Sequence, residues 1–124
     1  MLEDRILIRP NELRPLKTLS SERSIPIHPR LEALALELRT KKGLLWPGQY
    51  QESNKRWGVN LSKPCRKIVG ITPKGFRDRA ATILRSNNMN EAVVVALLGH
   101  TPNSISMSYG AAPWSELRRA VKLL

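Results

Sequence analysis

Leu97-Leu98-Gly99-His100-Thr101-Pro102-Asn103-Ser104-Ile105-Ser106-Met107-Ser108-Tyr109 reads as the end of one helix, a turn, and a second short helix. Leu97 and Leu98 close an apolar run that begins at Ala92. Gly99 stands where a helix C-terminus favours a residue free to take a positive φ. Thr101 before Pro102 has the form of an N-cap followed by proline at the first helical position. The unit therefore carries an imidazole, His100, and a phenol, Tyr109, nine positions apart. Each has an ordinary reading too: a half-buried tyrosine with its hydroxyl bonded, and a histidine that caps or packs.

Outward from this stretch the chain is mostly helical. Asn90 caps a helix over Glu91 to Leu98, and Asn87-Asn88 breaks the helix before it. That earlier helix starts at Thr72-Pro73 and runs to about Arg85 or Ser86. Phe76, Ala80, Ile83 and Leu84 form its apolar stripe, which leaves Lys74, Arg77 and Asp78 on the other flank. Ser62 to Val69 is a shorter helix with Pro64 in its first turn, where a missing N–H costs little. Cys65 falls on its apolar side with Leu61, Ile68 and Val69, as a core residue. Pro29 to Lys42 is a further helix, with Leu31, Leu34, Ala35 and Leu38 as its stripe and Gly43 as its end. Leu44 to Pro47 reads as a short buried extended segment, and Gly48 to Lys55 as loop. Downstream, Gly110-Ala111-Ala112 is a joint and Pro113 opens a final helix. Its apolar side is Trp114, Leu117, Val121 and Leu124, and its basic side is Arg118, Arg119 and Lys122. That apolar stripe serves either the chain's own core or a contact with a second protomer.

At the N-terminus, residues 5–9 put Ile6 and Ile8 on one face and read as a strand. Leu16-Lys17-Thr18 makes a second strand, and Arg23 to His28 returns as a third that ends or lies at an edge because of Pro26. The expected class is thus α+β and mostly α-helical: a small three-stranded antiparallel sheet followed by about five or six helices.

Composition narrows the partners. The 124 residues hold 21 Lys/Arg against 10 Asp/Glu, a net charge of +11. A pI near 10.7 accompanies it. Such an excess points to a polyanion, because neutralising phosphates releases counterions and drives nucleic-acid binding. One cysteine excludes an intramolecular disulfide framework and fits a reducing compartment. Two histidines and that cysteine, far apart in sequence, make no metal ligand set. No apolar run has membrane-spanning length, and Met1-Leu2-Glu3-Asp4 lacks signal-peptide form. A cytoplasmic, cofactor-free protein without a membrane partner is expected.

Leu97-Leu98-Gly99-His100 with Tyr109 nine residues beyond the histidine resembles the end of the tyrosine recombinase (phage integrase) active site. Two further stretches resemble boxes of that family, in the family's order. Lys74-Gly75-Phe76-Arg77 is similar to its His/Lys-x-x-Arg box. Leu16-Lys17-Thr18, with Ser20, Ser21, Arg23 and Ile25-Pro26-Ile27, is similar to its lysine-bearing β-hairpin. The resemblance covers nearly the whole chain. It implies that residues 1–124 form the C-terminal part of a catalytic domain: a hairpin sheet over 1–28, a helical core over 29–109 and a tail helix over 110–124.

The implied activity is metal-free cleavage and rejoining of double-stranded DNA through a 3′-phosphotyrosyl intermediate. Tyr109 would attack phosphorus, and Arg77 would stabilise the transition state with its planar fork. Lys17 would protonate the leaving 5′ oxygen, while Lys74 and His100 would bond the non-bridging oxygens or assist the tyrosine. Arg14, Arg23 and Arg79 are candidate DNA contacts, and helix 113–124 is a candidate contact with a second copy on DNA. Two departures accompany the likeness. Asp78 stands where many members carry another histidine, and the family's first arginine lies upstream of the hairpin. Arg9, followed by Glu12 and Leu13, resembles that first-arginine box and is the alternative source of the residue. Without it, the chain would be a catalytically defective DNA-binding remnant. A basic RNA-binding module is the reading from outside the family.

Overall fold

A computed structural model of the chain describes residues 4–11, 22–54, 56–58, 60–99 and 112–124. Strand β1 (Arg5–Ile8) pairs antiparallel with β2 (Arg23–Pro26), and Arg5 lies opposite Pro26, Ile6 opposite Ile25. β2 ends on buried Pro26, as proline's missing donor requires. Among the described residues, the first and third of the three expected strands thus pair directly with each other. The strand expected at Leu16-Lys17-Thr18 lies outside the described residues.

Pro29–Leu31 makes a 3₁₀ turn, capped by His28 Nδ1, which accepts from the Arg30 N–H at 3.0 Å. It leads into α1 (Glu32–Thr40). A second, two-residue ladder joins β3 (Tyr50–Gln51), inside the stretch expected to be loop, to β4 (Arg56–Trp57) just past its end at Lys55. Strands this short carry no readable alternation. Helix α2 (Ser62–Val69) follows, then α3 (Pro73–Ser86), α4 (Glu91–Leu98) and α5 (Trp114–Val121). Five α-helices and two small two-stranded antiparallel sheets among the described residues make the chain α+β and mostly helical.

Local chemistry accounts for the helix limits. Thr72 Oγ1 accepts from the Gly75 N–H at 3.2 Å and Asn90 Oδ1 from the Ala92 N–H at 2.8 Å, so the expected helix start and the expected cap both satisfy first-turn donors. Asn88 takes a positive φ of 54° between α3 and α4. Across that break Arg85 grips Glu91 with two parallel bonds, Nε to Oε2 at 3.0 Å and Nη2 to Oε1 at 2.5 Å.

The core lies in the C-terminal half. Leu84 near the end of α3, Met89 in the connection after it, Val93, Val94 and Leu97 of α4, and Leu117, Ala120 and Val121 of α5 are buried together, with Ile25 of β2 packed on them. Between the two roles open to the last helix, its apolar side is thus used within the chain, although Leu124 stays half exposed.

The other helices differ from expectation. On α3 the buried residues are Ala81 and Leu84, while Phe76 is exposed. On α1 only Ala35 of the stripe is buried; Leu31 and Leu34 are exposed. Leu44 and Trp46 are exposed rather than buried. Cys65 is half-buried, and its neighbours Leu61, Val69 and Ile68 face solvent, Ile68 with 79% of its surface. Periodicity marks which face of a helix is apolar, and says nothing of whether another element covers it.

Candidate active site

The last turn of α4 collects the site. The final four carbonyls of a helix have no partner within it and carry the negative end of its dipole. Two guanidiniums from distant parts of the chain meet them. Arg77 Nη2 on α3 donates to Leu98 O at 2.6 Å, across 21 positions. Arg23 Nε at the start of β2 donates to Leu97 O at 2.9 Å, across 74 positions. Gly99 follows in the left-handed conformation, φ 65°, and its N–H closes the helix on Val95 O. The Arg23 guanidinium lies against Gly99 so closely that a Cβ there would overlap it.

Arg23 reaches this place because it shares a strand face with Ile25, two residues on. Ile25 packs on the α4–α5 core, so Arg23 is directed at the same layer. Arg23, a candidate DNA contact from the sequence, holds the end of α4 through its bond to Leu97 O. Its signal in the sequence is the alternation Arg-Ser-Ile, apolar at the third position.

Lys74 and Arg77 share a flank of α3, three positions apart. Lys74 Nζ sits 2.8 Å from Asp78 Oδ2, with both side chains largely exposed. The residue that departs from the family pattern, Asp78, is thus the partner of the lysine in the same box. An exposed pair of this kind holds its geometry weakly. Arg79 is exposed two positions beyond Arg77, a step that turns it to the opposite flank of α3 and away from this site. Arg9 is exposed just after β1. Lys17, Arg14, His100 and Tyr109 lie outside the described residues. In sequence His100 directly follows Gly99, which ends the helix whose last carbonyls Arg23 and Arg77 hold.

Among the described residues no group of three His, Cys, Asp or Glu side chains is placed to hold a metal ion. Nor is any helix among them long and apolar enough to cross a membrane. Neither a protein-family model, nor a characterised protein, nor a solved structure matches this chain.

Proposed function

We propose that the chain is the C-terminal part of a tyrosine-type DNA strand transferase. The observation that supports this most is the bond from Arg77 to Leu98 O. It joins the Lys-x-x-Arg box to the Leu-Leu-Gly that precedes His100, two motifs that are separate in sequence. In this reading the Tyr109 phenol oxygen attacks a DNA phosphorus, forming the phosphotyrosyl bond as the bond to the 5′ oxygen breaks. The phenolic proton passes to a neighbouring base, His100 or water, and the departing 5′ oxygen takes a proton from Lys17. Arg77 grips the non-bridging oxygens as charge builds on them, the kind of preorganised contact that contributes most to such steps. Its bond to Leu98 O fixes the guanidinium at the end of α4 and orients the plane of the fork. Because the phosphotyrosyl link stores the bond energy, rejoining needs no nucleotide cofactor.

The pairing of Lys74 with Asp78 favours a second reading, a DNA-binding remnant with little turnover, since it engages a cation of the box with a carboxylate. Covalent trapping separates the two. The full chain is incubated with a nicked duplex that loses its leaving strand on cleavage, and any adduct is mapped by mass spectrometry. A 3′-phosphate on Tyr109 that disappears in Tyr109→Phe, with duplex affinity retained, is the expected result. Replacing Arg77 by lysine should lower adduct formation by about 10²–10³, as for loss of one transition-state donor. Salt-sensitive duplex binding with no adduct in any variant would leave the remnant.

A further inference from the structure

The charge of the chain is unevenly spread. The 25 residues from Ser53 to Arg77 hold seven of its 21 Lys/Arg and none of its 10 Asp/Glu. A fifth of the length thus carries seven of the eleven net charges. Helix α2 lies at the centre of this segment. Lys63, Arg66 and Lys67 follow the i, i+3, i+4 spacing that aligns side chains on one helix face. All three are exposed, and with Ser62 they line an open pocket of about 310 Å³. The ion pairs found among the described residues all lie elsewhere, on α1, α3, α5, the β1 end and the α3–α4 junction. Lys63 and Lys67 stand one turn apart with like charge, an arrangement that a helix tolerates at a cost unless an anion sits over it.

We propose that this face of α2 is a phosphate-backbone surface for duplex nucleic acid, distinct from the residues at the end of α4. It rests on the nucleic-acid part of the reading above and not on its chemistry. α2 is about 12 Å long at 1.5 Å per residue. A duplex offers one negative charge per roughly 1.7 Å of axis, so a face of this length meets enough phosphates to neutralise all three cations. An anionic membrane is the competing partner, since Leu61, Ile68 and Val69 leave α2 amphipathic. Helices that lie in a membrane interface are commonly about 20–30 residues long with aromatic anchors. α2 has eight residues and no aromatic one.

The test compares the full chain with two variants that lose the same charge at different places: Lys63→Gln/Arg66→Gln/Lys67→Gln on α2, and Arg118→Gln/Arg119→Gln/Lys122→Gln on α5. Affinity for a labelled duplex of arbitrary sequence is measured by anisotropy between about 50 and 200 mM salt. Neutralising α2 should reduce the slope of log K against log salt by about 2–3, close to 0.9 for each phosphate that the protein no longer neutralises. The α5 variant should reduce it by less than about one. Equal reductions in both variants would mean that only net charge matters, and would overturn the proposal. So would an unchanged slope in the α2 variant, or wild-type binding to phosphatidylserine vesicles in place of the duplex. If the triple variant loses helical circular dichroism, Lys63→Gln and Lys67→Gln are read singly, each expected to lower the slope by about one. Loss of slope at α2 without any Tyr109 adduct supports the surface while overturning the strand-transferase reading. A Tyr109 adduct with an untouched slope does the reverse.

Discussion

Gly99 is held to glycine by two separate constraints. Its φ of 65° lies in the left-handed region, which costs an ordinary residue roughly 1–2 kcal/mol. Its missing Cβ also makes room for the Arg23 guanidinium. The two constraints separate in a double-mutant cycle. Gly99→Ala in the wild-type chain meets both; in an Arg23→Ala background it meets only the backbone cost. The substitution should therefore be less destabilising in the second background, by a coupling of about 1 kcal/mol, read from urea unfolding. Equal costs in both backgrounds would mean that Arg23 yields freely and does not fix the end of α4. The need for glycine here was legible from its place after Leu97-Leu98. Its closeness to Arg23 was not, because the Arg-Ser-Ile alternation marks the strand face of Arg23 but not the helix end that it meets 74 positions away. The outward-facing residues of the Lys-x-x-Arg box were legible from helical spacing, whereas the partner of Arg77 is a backbone carbonyl, which no side-chain pattern encodes.

Among the elements, β1 and α5 are tied by a small polar strap. Arg5 meets Asp4 with two bonds, Nε to Oδ1 at 2.7 Å and Nη2 to Oδ2 at 2.9 Å, and its guanidinium carbon lies 4.3 Å from the centre of the Trp114 ring. The hydrogen bond from Arg5 holds the Asp4 carboxyl below the usual carboxylate range. The fold thus favours the ionised carboxylate. Its contribution is present above the ordinary carboxylate pKa and is lost as pH falls through the depressed folded value. Asp4→Asn should lower the Tm slightly at pH 7, and the gap should close as pH falls through the depressed folded value. High salt should narrow the gap as well, since the pair is exposed. A gap that stays constant with pH would assign the effect to packing instead. Helix limits were the most legible feature at this scale, because Thr72, Asn90 and Pro113 mark their starts with hydrogen-bonding or φ-fixing chemistry. The β3–β4 ladder was illegible for the opposite reason: two residues a strand make no period.

For the molecule as a whole, burial and charge are divided between the two halves of the helical region. α4, α5 and the end of α3 share one core in which Leu84 and Val94 are fully buried. α1 and α2 stand outside that core, with exposed apolar residues on both and the dense basic segment centred on α2. Regions with few buried apolar contacts open at free energies well below that of global unfolding. Hydrogen exchange should therefore resolve two classes of amide. Those of α4, of α5 and of α3 near Leu84 should exchange last, at rates set by global unfolding. Those of α1 and α2 should exchange orders of magnitude faster, although all five segments are helical and hydrogen-bonded. Adding duplex DNA sharpens the test. If α2 meets the phosphate backbone, its amides should slow by a factor that grows with DNA concentration, as mass action requires of a ligand that binds the folded form. Those of α1, which has Leu34 and Leu36 exposed in place of a basic face, should not. Uniform protection of all five helices in the free chain would show that α1 and α2 are stabilised by contacts beyond the core described above. Equal slowing of α1 and α2 on DNA would count against a surface centred on Lys63, Arg66 and Lys67, because it would place the stabilisation in the whole chain and not in that face.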